Sequence, residues 1–150
     1  MPLPRREARR ARAVTGALRA SLTGAAVLSL VGCGGPDEGQ VVAAARAFSS
    51  ALQARDGTAA CELLALSTRE ELERSQGQRC GQALAAQDLE PLVRIGRVER
   101  YGHQASVVVE ARSGRPDTWF LTRFDDRWLV VAARCEPRPE LPYACDVEGP

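Results

Sequence analysis

The side chains in this sequence with the clearest capacity for chemistry are its five cysteines, at positions 33, 61, 80, 135 and 145. A thiol can be acylated, pair as a disulfide, ligate a metal or act as a nucleophile beside a base. The short Cys-x-x-Cys or histidine spacings of zinc sites do not occur, and His103 is the only histidine that could activate a thiol. The chemistry of each cysteine therefore depends on the elements around it.

Cys33 follows a leader that is basic at first and then apolar. Six arginines lie within residues 1–19, and the apolar run 20–31 is about 12 residues long, whereas a bilayer span takes about 20. A positive flank, a short apolar centre and small residues near its end are typical of a secretory signal peptide. The alternative, a buried amphipathic helix, would show a polar stripe at helical spacing, and this segment has none.

The leader ends in the tetrapeptide LVGC at 30–33, and GGPDEG follows at 34–39. These residues resemble the lipobox of bacterial lipoproteins, in which a thiol takes up a diacylglyceryl group and small residues before it admit the signal peptidase. The resemblance implies cleavage between Gly32 and Cys33, a lipidated Cys33, and a flexible tether over 33–40. It also implies a place on the outer face of the bacterial cytoplasmic membrane. Arg5-Arg6 leaves the twin-arginine export route open, but the apolar pair of that signal is missing, which favours the general secretory route.

The other four cysteines are an even number in an oxidising compartment, which predicts disulfides. Four cysteines allow three pairings. Cys61 and Cys80 both fall in the predicted helical half, whereas Cys135 and Cys145 both follow the last predicted strand. We therefore expect the pairs 61–80 and 135–145. Closing the first loop stabilises the fold by about 3 kcal/mol on the chain-entropy estimate.

The charge distribution argues against a nucleic-acid-binding domain. The 150-residue chain has a formal net charge of +1, yet residues 33–150 contain 14 arginines against 18 acidic residues. A nucleic-acid-binding domain needs its positive charge on the folded part of the chain.

Periodicity predicts one α+β domain over 41–147, with helices packed on a curved antiparallel sheet of about four strands and a disulfide-closed tail. The predicted helices are 41–55, a short helix capped by Thr58, a third opened by a capping box at 67–70, and a last turn at 79–87. The predicted strands are 93–101 with a bulge at Gly96, 104–113, 118–124 and 127–134, with Asp117 in a turn before the third.

Two segments, 41–64 and 120–131, resemble the cone fold of nuclear-transport-factor-2-like proteins, which include ketosteroid-isomerase-like enzymes. More narrowly, they resemble small actinobacterial lipoproteins of this fold. In those proteins the paired helical cysteines and a Pro-rich Cys…Pro-Tyr-x-Cys tail recur, here ending in Pro142-Tyr143-Ala144-Cys145. One departure is the closing turn, Asp125-Asp126 in place of Asp-Gly.

Enzymes of the cone fold place an acid, a base or a His-Asp pair inside the cone. The positions predicted to face inward are Val107, Val109, Trp128, Val130 and one of Trp119 or Phe120, none of which moves a proton. We interpret the remaining candidates for chemistry as surface or packing residues. They are His103 in a turn, Tyr101 on a strand, Glu70, Glu71 and Glu73 on a helix, and Arg94, Arg97 and Arg100 on an edge strand.

The sequence thus predicts a non-catalytic lipoprotein module without cofactor or metal. Its expected partners are membrane lipid, through the acylated N-terminus, and either an envelope protein or a small apolar ligand in the cone. The alternative is a cone-fold enzyme of isomerase, cyclase or hydrolase type, or a carrier, acting on a small extracellular molecule. Ionisable side chains converging in a pocket would favour that alternative.

Overall fold

Helical periodicity gives way to strand alternation near Pro91, and the architecture follows that change. The computed structural model describes residues 36–140 and 142–150. The elements are α1 (Pro36–Gln53), α2 (Gly57–Glu62), α3 (Leu66–Gln76), α4 (Cys80–Ala85), β1 (Leu92–Tyr101), β2 (Gln104–Ala111), β3 (Pro116–Phe124), β4 (Arg127–Glu136) and β5 (Ala144–Glu148).

The strands form one antiparallel sheet in the order β1-β2-β3-β4-β5, which is a simple meander. The α+β class is confirmed, but the expectation of about four strands is wrong because the cysteine tail is itself a strand. In β5, Cys145 lies opposite Cys135 and Val147 lies opposite Ala133. Val147 is fully enclosed, so this short strand adds to the core as well as to the sheet.

Both predicted disulfides are confirmed. Cys61 in α2 bonds to Cys80 in α4 with their Cα atoms 6.1 Å apart, and Cys135 bonds to Cys145 with a Cα separation of 4.0 Å. The first bond joins two short helices, each about six residues long, that packing alone would hold weakly.

The core lies between α1 and the inner face of the sheet. Strand alternation sends the predicted residues of β2 and β4 inward, and of the two candidates in β3 it is Trp119 that is buried. Phe48 of α1 meets Trp119 edge to face, with ring centroids 5.3 Å apart. Phe120 points to the other face and stacks on Tyr143 at 4.8 Å. The inner-face residues are Ala105, Val107, Val109, Trp119, Leu121, Trp128, Val130 and Ala133.

The predicted bulge in β1 is confirmed, because its register with β2 shifts between Ile95 and Val98, around Gly96. The edge of β4 that faces away from β3 is covered by two segments of the chain. Its second half pairs with β5, and its first half is bridged by the segment between α2 and α3, where the Val130 N–H donates to Leu63 O at 2.9 Å. Covering an edge in this way removes unpaired backbone groups that would invite another strand.

Three predicted helix starts differ from those observed. Helix α1 begins at Pro36, inside the predicted tether, so the body of the domain starts earlier than residue 41. Helix α2 is capped by Asp56, whose carboxylate accepts from the Ala59 N–H at 3.0 Å, and Thr58 lies inside the helix. The capping box at 67–70 does not form, because Ala65 is held by its backbone bond to β4 and the helix starts at the next residue.

The two ends of the sheet differ, and we name them by what they carry. The turn end holds the start of α1 and two tight turns, 102–103 and 125–126, brought together by Asp37, which pairs with Arg100 and Arg123. The cleft end holds the last turn of α1, helices α2 and α4, and the start of β1. There the Leu92 N–H donates to Ser49 Oγ at 2.9 Å, which fixes β1 against α1.

Candidate functional site at the cleft end

The largest opening at this end is a cleft of about 590 Å³ between the end of α1, helices α2 and α4, and the start of β1. This volume falls within the range of about 300–1,000 Å³ that small-molecule sites occupy. Its lining combines aliphatic and charged residues, and polar surface makes up about half of it. The aliphatic residues are Ala51, Leu52, Ala60, Leu84, Ala85, Leu89, Leu92 and Val93, and the charged residues are Arg55, Asp56, Asp88, Glu90 and Arg112.

A glycine contact and a disulfide shape the wall of the cleft. A Cβ added at Gly57 of α2 would lie 2.8 Å from the Cα and carbonyl oxygen of Gly81 in α4, so the two helices meet backbone to backbone. The bond between Cys61 and Cys80 holds them in that position. Glu73 fixes the start of α4, because its carboxylate accepts from the Cys80 N–H at 2.9 Å. Glu73 is therefore a structural cap rather than part of a solvated acidic face.

Beside the cleft lies a smaller recess of about 60 Å³, and Leu89 and Glu90 line both. Asp117 and Trp119 of β3 face this recess with Arg134 of β4. A space of this size suits one or a few ordered waters rather than an organic substrate.

Among the described residues, Asp117 is the titratable group whose pKa the fold shifts most. Its Oδ1 atom is enclosed and has no hydrogen-bond partner among them. Burial raises the pKa of Asp117 to about 6, although the Trp119 indole and the Arg134 guanidinium act in the opposite direction. An enclosed, unpartnered carboxylate oxygen favours the protonated form because solvent and donors no longer stabilise the charge.

Arg134 is placed by an unusual backbone conformation. Its φ of 54° lies in the left-handed region, at a point where β4 has one residue more than its partner β3 between paired positions. Such a bulge re-aims a side chain. The guanidinium Nε lies 3.1 Å from Asp146 Oδ2, and Nη1 donates to Asp88 O at 3.3 Å. Arg134 thus ties β5 and the segment before β1 to the recess.

The pKa of Glu90 shifts in the direction opposite to that of Asp117. It is exposed, and its carboxylate accepts from the Ser113 N–H at 3.1 Å. The backbone bond to Ser113 is the largest cause that lowers the pKa of Glu90, and the Ser113 hydroxyl is the next. The fold therefore shifts the pKa values of two carboxyl groups beside one recess in opposite directions.

The residues singled out from the sequence lie elsewhere. Gly32 and Cys33 fall outside the described residues, as does the rest of the predicted leader. Tyr101 and His103 are exposed at the turn end, away from the recess. The arginines of β1 pair with carboxylates: Arg94 with Glu110, Arg97 with Glu99, and Arg100 with Asp37. Glu71 pairs with Arg74 on the surface of α3, and Glu70 is exposed.

The residues predicted to face inward included no ionisable side chain, whereas the structure places the carboxyl of Asp117 on the inner face. The prediction placed this residue in a turn because Gly114 and Pro116 precede it. In the structure β3 begins at Pro116, so Asp117 shares the inner face with Trp119 two residues later. Extending the alternation of Trp119 and Leu121 backwards by one step would have identified it.

Within residues 36–140 and 142–150, no three His, Cys, Asp or Glu side chains are grouped so as to hold a metal ion. Among the same residues, none of the helices combines the length and the apolar character needed to cross a bilayer. Comparison of the chain with protein-family models, with curated proteins and with solved structures finds no match.

Proposed function

We propose that this protein is a lipid-anchored extracytoplasmic module that binds a small, mostly apolar ligand without chemically changing it. The observation that carries the proposal is the cleft of about 590 Å³, whose lining combines eight aliphatic and five charged residues. The aliphatic residues supply apolar contact to a ligand, and the polar groups orient it. An envelope protein that inserts an apolar side chain into the same cleft is the other expected partner.

Two features support the extracytoplasmic location. The leader has the order of a signal peptide and ends in a tetrapeptide that resembles a lipobox. The domain also contains two disulfides, one of which joins the two helices beside the cleft, and such bonds persist in oxidising compartments. In this proposal Cys33 is the first residue of the mature chain and carries the acyl groups.

The ligand site is tested with the neutral fluorescent probe N-phenylnaphthylamine and two neighbouring alanines. Ala85 lines the cleft and is exposed, so Ala85→Trp fills the opening without disturbing the core. Ala86 is also exposed but does not line the cleft, which makes Ala86→Trp the matched control. We expect Ala85→Trp to weaken probe binding about tenfold or more and Ala86→Trp to leave it unchanged, because a filled cleft loses most of its apolar contact. Equal binding by both variants would overturn the proposed site.

A cone-fold enzyme is the second candidate, and the enclosed carboxyl oxygen of Asp117 is the observation that favours it. Its substrate would lie in the adjoining cleft, which shares Leu89 and Glu90 with the recess, because the recess itself has room only for water. A carboxyl with a pKa of about 6 can serve as a general acid, and Glu90, whose pKa is lowered, lines the same recess. The test compares wild-type protein with Asp117→Asn after incubation with small-molecule extracts of the cell envelope, read by mass spectrometry. Products formed by the wild type alone would establish catalysis and displace the binding-module proposal.

A further inference from the structure

The start of α1 shows which end of the domain lies close to Cys33. Helix α1 begins at Pro36, three residues after Cys33. Three residues of extended chain span at most about 11 Å. Cys33 is therefore restricted to the neighbourhood of the turn end, whatever conformation the intervening residues take.

Ion pairs identify the neighbours of this helix start. Asp37 Oδ2 lies 3.6 Å from Arg100 Nη1, and Asp37 Oδ1 lies 3.7 Å from Arg123 Nη1. The two arginines come from β1 and β3, close to the turns that end both hairpins. Surface pairs of this kind stabilise a fold only slightly. They do show that the helix start and the two turns lie side by side.

The same end exposes two aromatic side chains that have no role in the core. Tyr101, the last residue of β1, is 75% exposed, and Phe124, the last residue of β3, is 46% exposed. Aromatic side chains are enriched where proteins meet the interface of a bilayer, because their rings are partly apolar and, in Tyr and Trp, carry a polar group. By contrast, the exposed Tyr143 is already stacked on Phe120.

The charges at the turn end are of both signs. Asp37 pairs with Arg100 and Arg123, and Arg123 also pairs with Asp126 at 3.2 Å. Asp125 and Arg127 carry further charges in and beside the turn at 125–126. Attraction to anionic headgroups needs an excess of Lys or Arg. This end therefore suits the neutral interfacial zone of a bilayer, reached by its aromatic side chains, rather than a purely electrostatic contact.

We propose that the turn end faces the membrane and contacts the bilayer interface through Tyr101 and Phe124, with the cleft directed away from it. The proposal rests on the lipid anchor at Cys33 proposed above. Val93 and Tyr101 are eight residues apart in β1, which corresponds to about 26 Å at the usual rise of a strand. The cleft is thus held clear of the lipid surface and open to ligands or partners in the envelope space.

The orientation is tested by tryptophan quenching with brominated lipids. The full chain is expressed, and its acylated mature form is purified from membranes and reconstituted in phosphatidylcholine vesicles. Trp119 and Trp128 are buried and give a constant background. Tyr101→Trp and Phe124→Trp place a reporter at the turn end, and Val93→Trp, at a position 67% exposed near the other end of β1, is the matched control.

We expect brominated lipid to quench about half of the added fluorescence at positions 101 and 124 and almost none at 93, because only interfacial rings approach the acyl chains. Quenching at 93 equal to that at 101, or none at 101 in acylated, vesicle-bound protein, would overturn the orientation while leaving the anchor intact. Quenching that appears only when phosphatidylglycerol is added would overturn the neutral aromatic contact. Absence of an acyl mass on Cys33 would overturn both the anchor and the orientation.

Discussion

The two ends of this domain are built from the same strands, yet the connections between those strands differ. At the turn end, β1 joins β2 and β3 joins β4 through two-residue turns, so neighbouring strands stay in contact to their last residue. At the cleft end the connections are longer, and short helices enter between α1 and β1. Tight turns leave no room between the ends of neighbouring strands, whereas the longer connections leave room for a cleft. Chain connectivity therefore explains why the cleft between α1, α2, α4 and β1 forms at this end of the sheet.

The anchor provides the largest test of this comparison. Cys33→Ala should release the protein from the membrane, because the thiol is the only proposed point of acylation and the leader is too short to span a bilayer. Metabolic labelling with a fatty-acid analogue, followed by membrane fractionation, measures the effect. A variant still found in the membrane pellet would mean that residues 20–31 hold the chain there, and the turn end would lose its special position.

Removing each disulfide in turn should show which bond affects stability alone and which also affects ligand binding. Replacing Cys61 and Cys80 together by Ser should lower the free energy of unfolding by about 3 kcal/mol on the chain-entropy estimate and also weaken N-phenylnaphthylamine binding. The bond holds α2 against α4 at the cleft wall, so its loss affects both properties. The control is the Cys135→Ser, Cys145→Ser variant, which should lose stability but keep probe binding. Urea titrations and probe titrations measure the two effects, and equal probe binding by both variants would contradict this assignment.

The pH dependence of stability should report on Asp117. Its folded-state pKa of about 6 lies above its ordinary value of 3.8, so the folded protein binds more protons than the unfolded chain between those limits. Stability should therefore fall as the pH rises from about 4 to about 6. The loss should be about 1–2 kcal/mol, since solvent screens this half-buried group.

Asp117→Asn should flatten that slope, because the amide keeps the shape of the side chain but does not ionise. Urea midpoints measured from pH 4 to pH 7 provide the comparison. An unchanged slope in the variant would show that Asp117 is solvated in the folded protein and that the recess does not perturb it.

The smallest effect is expected at the turn end. His103 is exposed in the turn between β1 and β2, so His103→Ala should change the free energy of unfolding by no more than about 0.5 kcal/mol. It should also leave probe binding at the cleft end unchanged. A larger change would indicate a partner for the imidazole and would weaken the contrast between the two ends.

The sequence by itself determined the local elements and the pairing of the cysteines. The helical stripe of Ala45 and Phe48, the alternation in β2 and the bulge at Gly96 all depend on neighbours a few residues away, and periodicity reports such relations directly. The disulfides followed because each pair lay within one predicted half of the fold. The leader and its lipobox-like end are also local patterns, and they stay predictions because they lie outside the described residues.

Tertiary structure alone decided the fifth strand, the cleft and the environment of Asp117. Strand β5 is five residues long after a proline-rich segment, and it exists because β4 offers an unpaired edge and Cys135 offers a partner for Cys145. The cleft depends on the backbone contact of Gly57 with Gly81, which are 24 positions apart in the printed sequence. The pKa of Asp117 is raised by burial among segments distant in sequence. Burial and solvation are properties of the assembled surface, so no local pattern contains them.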